Sequence, residues 1–127
     1  MKTVDEKRRI ELDKAIAYFM GWRIDNTFPD KGKVWRKGNA IELESTFKFS
    51  SDWNALMEVF KAVNKIKTCI ADIDSVYCEV RMYNTTGLDW EAENSFEPGE
   101  LQENVYISLG EFVEFYNKRE IKLNVES

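Results

Sequence analysis

The chain has 127 residues, 43% of them hydrophobic and 32% charged, and a formal net charge of −5, which fits one domain around one core. It contains no histidine, so the commonest general base, the Ser-His and Cys-His nucleophile pairs and the commonest zinc ligand are all missing. No apolar run approaches the roughly 20 residues that cross a bilayer, and the charged start MKTVDEKRRIELDK lacks the apolar stretch of a signal peptide, so a cytoplasmic protein without membrane association is expected.

Thr3-Val4-Asp5-Glu6 reads as a capping box at the start of a first helix. Leu12, Ala15, Ile16, Phe19 and Met20 recur at helical spacing, Gly21 supplies a stop, and Trp22 is placed to fold back on the last turn. From Trp22 to Phe49 the period changes to short β-like pieces, punctuated by Phe28-Pro29-Asp30-Lys31-Gly32 and Lys37-Gly38-Asn39. Ile41 and Leu43 alternate there with Glu42 and Glu44. Ser50 or Ser51 is expected to cap a second helix, with Asp52 in its first turn and Trp53, Leu56, Met57, Phe60 and Val63 along one face.

Asp72 and Asp74 read as turn residues before a strand over Ser75 to Tyr83, in which Val76, Cys78, Val80 and Met82 alternate with Tyr77, Glu79, Arg81 and Tyr83. Asn84-Thr85-Thr86-Gly87 turns into a partner strand, where Leu88, Trp90, Ala92 and Phe96 oppose Asp89, Glu91, Glu93 and Ser95. After Pro98-Gly99, Leu101, Val105, Leu109, Phe112, Val113 and Tyr116 mark a third helix. Gly110 costs that helix about 1 kcal/mol relative to alanine, which points to a close approach to another backbone. The order α-β-β-(β)-α-β-β-α predicts an α+β single-domain sandwich over 1–120, with three helices on an antiparallel sheet of about four or five strands. Residues 121–127 are expected to form an edge strand or a disordered tail, and Cys69 and Cys78 to remain free, buried thiols.

Two segments, Phe19-Met20-Gly21-Trp22 and Phe49-Ser50-Ser51-Asp52-Trp53-Asn54-Ala55, resemble the phage ABA sandwich domain family, in which a helix runs into a Met-Gly-Trp step and an Asp-Trp-Asn segment starts a central helix. The bulky stretch Asn104 to Tyr116 departs from the small-residue helix of that family. The resemblance implies the fold and a phage or prophage origin, and carries no catalytic residue with it.

Between Met82 and Asn117 there are eight acidic residues and no lysine or arginine. Asp89, Glu91, Glu93, Glu97, Glu100 and Glu103 are therefore the candidate partner-binding residues, an acidic face that mimics nucleic acid and docks on a basic host protein. The plain alternative is a solvated, solubilising surface. Asp89, Glu91 and Glu93 would share one strand face and could gather round Mg²⁺ or Ca²⁺, but no second element visibly completes a metal site. Lys31 to Lys37, with Trp35 among four positive charges, is a candidate single-strand nucleic-acid loop, although the acidic balance argues against nucleic acid as a partner. Lys7-Arg8-Arg9 reads as an exposed basic helix face. Tyr77, Arg81 and Tyr83 form a possible interface, with a second copy of the chain as one occupant. No catalytic residue, cofactor or metal is expected.

Overall fold

The computed structural model describes residues 5–27, 33–73, 77–84, 86–95 and 100–126. Asp5, and not the expected Thr3, is the cap of the first helix: its carboxylate accepts the Arg8 N–H at 2.8 Å. A charged acceptor there also meets the positive end of the helix dipole. Thr3 lies outside the described residues. The helix, α1 (Glu6–Phe19), ends as its sequence suggests, with Gly21 at φ 103° and the Trp22 N–H bonded back to the Ala17 carbonyl at 2.9 Å. The Gly21 N–H bonds to the Tyr18 carbonyl at 3.1 Å, which completes a Schellman motif.

Strands β1 (Arg23–Asp25), β2 (Val34–Lys37) and β3 (Ala40–Leu43) pair antiparallel in that order. Two 3₁₀ turns, Glu44–Thr46 and Phe49–Ser51, lead into α2 (Trp53–Asn64). The cap of α2 is Asp52, which accepts the Ala55 N–H at 3.0 Å, while Ser50 and Ser51 belong to the preceding turn. Strands β4 (Cys69–Ile73), β5 (Tyr77–Asn84) and β6 (Gly87–Ser95) form a second antiparallel sheet, and α3 (Leu101–Glu126) closes the chain.

The α+β class and the element order hold, but the strands divide into two three-stranded sheets among the described residues, where one sheet of four or five was expected. The cause is local pairing: β1 to β3 are three or four residues long and fold on a small aromatic cluster of their own. Phe47 packs there edge-on to Trp22 and Trp35, with centroids 5.4 and 5.8 Å apart, and outside the main core. Strand β4 is an addition that the sequence reading missed, and Asp72 lies within it, not in a turn; Asp74 is outside the described residues. The Asn64 side chain completes its edge, accepting the Ala71 N–H at 2.9 Å and donating to the Ala71 carbonyl at 3.2 Å. A side-chain amide thus satisfies both backbone groups of Ala71. Residues 121–126 are neither edge strand nor disordered tail but a continuation of α3.

Cys69, Ala71, Cys78, Val80 and Met82 turn the inner face of the second sheet toward Leu56, Val59 and Val63 of α2 and Val105, Leu109 and Phe112 of α3. Cys78 is a free thiol whose burial pushes its pKa up to about 11, so it packs as a small apolar group. On the other side of α3 lies α1. Arg9 meets Glu103, Leu12 meets Gly110 and Ala15 meets Asn117, so the two helices run in the same direction. Gly110 is what lets them close: a Cβ there would stand 3.0 Å from Leu12 Cδ2 and 3.3 Å from its Cβ.

Gly110→Ala gains helix propensity of about 1 kcal/mol and loses about 1–3 kcal/mol to overpacking. The variant should therefore be less stable than wild type in urea unfolding. In a Leu12→Ala background, where the 3.0 Å contact with Cδ2 is gone and only the 3.3 Å contact with Cβ remains, the same change should lower the midpoint less.

Candidate functional site

Helices α2 and α3 cover one face of the second sheet, and the other face carries the residues singled out as a possible interface. Cross-strand register places Ile70, Arg81 and Glu91 in one row and Asp72, Glu79 and Glu93 in the next. The hairpin closes at Asn84 and Gly87, but its register shifts between Met82 and Tyr83. Met82 pairs with Trp90 and Tyr83 with Leu88, which leaves Asp89 as the extra residue of a bulge. Leu88 is thereby moved from the inner face, where alternation had put it, to the Tyr83 face, where it is 53% exposed. Ile70 is 47% exposed on the same face.

Between these two apolar side chains stands Arg81. Its guanidinium donates to Tyr83 Oη at 3.3 Å, forms an ion pair with Glu79, and lies 3.9 Å from Glu91. The bond to Tyr83 and the neighbouring carboxylates hold Arg81 well above the ordinary arginine pKa. Arg81 and Tyr83 are therefore preorganised. The side chains of Tyr77, Asp89 and Glu93 lie outside the described residues, as does Glu97.

Of the expected acidic face, Glu91, Glu100 and Glu103 remain, on β6, just before α3 and in its first turn. Asp89 sits in the bulge, outside the cross-strand register that Glu91 and Glu93 keep. Glu100 precedes α3, and its carbonyl is taken by the Asn104 side chain at 2.9 Å. Glu103 is bonded by Arg9 at 2.7 Å, and Glu114 by Arg8 at 2.7 and 2.9 Å in a bidentate pair. Arg8 and Arg9 are accordingly half-buried, not an exposed basic face. The acidic C-terminal helix and the basic N-terminal helix answer one another within the molecule. Arg8 holds the Glu114 carboxyl below its ordinary pKa.

Trp35 is buried, so its ring does not offer a stacking surface beside Lys33, Arg36 and Lys37; Lys31 and Gly32 are outside the described residues. Among the described residues no group of three or more His, Cys, Asp or Glu converges on a metal position. Two clefts escaped the sequence reading. One, of about 540 Å³, has Trp22, Phe47, Phe49 and Trp53 in its wall beside Lys48 and Asp52. The other, of about 430 Å³, lies between α1 and the turns before α2, lined by Glu6, Arg9, Asp13, Lys14, Glu44 and Lys48. Their walls come from segments far apart in sequence, and alternation cannot show that.

No protein-family model, curated protein or solved structure matches the chain.

The depressed Glu114 pKa fixes a sign. Its pairing with Arg8 stabilises the fold above the ordinary glutamate value of 4.5, and that contribution disappears as pH falls through the lower folded value. Glu114→Gln should cost about 1 kcal/mol at pH 7, as partly exposed pairs do, and in urea unfolding the deficit should shrink steadily as pH falls below 4.5.

Proposed function

We propose that the protein is a non-enzymatic binding module that docks on another protein through the outer face of β4, β5 and β6. The observation that carries this reading is the bulge at Asp89, which adds Leu88 to Ile70, Arg81 and Tyr83 on a face opposite the covering helices. Tyrosine and arginine dominate binding hot spots because each combines a large apolar body with a polar end. Here the hydrogen bond between them lowers the ordering cost of association. With Arg81 paired to buried Glu79, the exposed carboxylates of Asp72 and Glu91 set the charge of this face, so the complementary partner has an apolar patch rimmed by lysine or arginine. The likeness of Phe19–Trp22 and Phe49–Ala55 to the phage ABA sandwich domain family supports a phage or prophage accessory protein acting on a host protein.

A photo-crosslinking residue at position 70 or 88 tests this in lysate, with position 58 on the exposed side of α2 as the control. Adducts to a basic protein should form from 70 and 88 and not from 58. They should weaken several-fold between about 0.05 and 0.3 M salt, over which the screening length shortens by more than half. Equal labelling from all three positions, or none, contradicts the reading. Adducts of the chain with itself would assign the face to a homodimer.

A further inference from the structure

Asp13 is 7% exposed and Tyr106 is fully buried, both at the seam between α1 and α3. Tyr106 Oη lies 2.9 Å from Asp13 Oδ1 and 2.9 Å from the Arg9 carbonyl oxygen. A phenol has one proton to donate, so with Asp13 ionised it satisfies only one of these two acceptors. One added proton resolves the conflict: the Asp13 carboxyl donates to Tyr106 Oη, and Tyr106 Oη donates to the Arg9 carbonyl. The relay ties α1 to α3 at this point.

We infer that Asp13 is a proton-operated clasp, in which uptake of one proton completes a relay through Tyr106 and tightens the joint of α1 and α3. Several charged groups surround it. The Tyr106 hydroxyl, the Phe49 backbone and Arg9 favour the ionised form and Glu6 opposes it; Lys14 lines the same cleft; Glu44 and Lys48 enter from the turns before α2; Glu103 on α3 is held by Arg9. Burial outweighs the favourable contacts and pushes the carboxyl from its ordinary 3.8 up to about 6, roughly a hundredfold tighter proton binding in the folded chain. The folded value is raised, so this stabilisation is complete below about 3.8 and lost as pH rises through about 6. That sign is opposite to the one for Glu114.

The test uses the intact chain. The Asp13 carboxyl carbon should titrate near pH 6 by NMR, and the urea midpoint of wild type should fall relative to Asp13→Asn between pH 4.5 and 7.5. Tyr106→Phe keeps the carboxyl buried but breaks the relay, so its loss of stability should be larger at pH 4.5 than at pH 7.5. A carboxyl midpoint at or below 3.8, parallel wild-type and Asp13→Asn profiles, or a Tyr106→Phe penalty that does not grow toward low pH would each overturn the clasp.

Discussion

The close packing of α1 on α3 at Leu12 and Gly110 is the constraint on which the rest of the molecule depends. Only a residue without a side chain lets the helices approach so closely, and that approach brings three kinds of polar partner into reach. Arg8 and Arg9 find Glu114 and Glu103, Tyr106 finds Asp13, and Asn117 finds the Ala15 carbonyl at 2.9 Å. Ion pairs at half-exposed sites contribute little individually; buried apolar contact around Leu12, Ile16 and Tyr106 contributes more, at about 25 cal/mol per Å². The charges specify which faces meet, and the apolar residues hold them there. With α3 fixed on one side by α1, its opposite side, through Val105, Leu109 and Phe112, carries the second sheet and leaves that sheet's outer face to other uses.

The first sheet is subordinate to this arrangement. It has no share in the main core and rests on Trp22, Trp35 and Phe47, with Arg36 bonded to Asp25 at 2.7 Å across its surface. Its attachment to α1 runs through Gly21 and through Lys14, which lies 3.8 Å from Glu44. The aromatic cleft beside it opens where the small cluster meets the start of α2. A domain built this way has one larger unit of three helices and a sheet around the main core, and one smaller unit joined to it by aromatic contacts.

Much of this was legible locally. Gly21 after a helical run, the alternation of Cys78, Val80 and Met82, and Asn84 to Gly87 as a turn each depend on neighbours in sequence, and each is found where the pattern put it. What failed depended on distance or on a single-residue slip. A bulge at Asp89 inverts Leu88, because side chains alternate with a period of two and one extra residue reverses the face. The charge asymmetry is answered in part within the fold: with Arg8 and Glu114 more than a hundred residues apart, a one-dimensional reading cannot see that two of the eight carboxylates, Glu103 and Glu114, pair with α1. Ile121 and Val125 alternate with polar residues and are also four apart, and as an extension of the long helix α3 the second spacing prevails. Of the candidate site, Arg81 and Tyr83 came from the residue types, while Ile70 and Leu88 required the sheet.

Native-state hydrogen exchange tests the central role of the α1–α3 seam most directly. If the seam organises the fold, the inner amides of both helices, around Leu12 to Ala17 and Val105 to Val113, exchange only by global unfolding, with the free energy that urea unfolding gives, while the amides of β1 to β3 exchange through smaller openings. Exchange of α1 at a markedly lower free energy, with α3 and the second sheet still protected, would show that the core stands without the seam and would contradict this account.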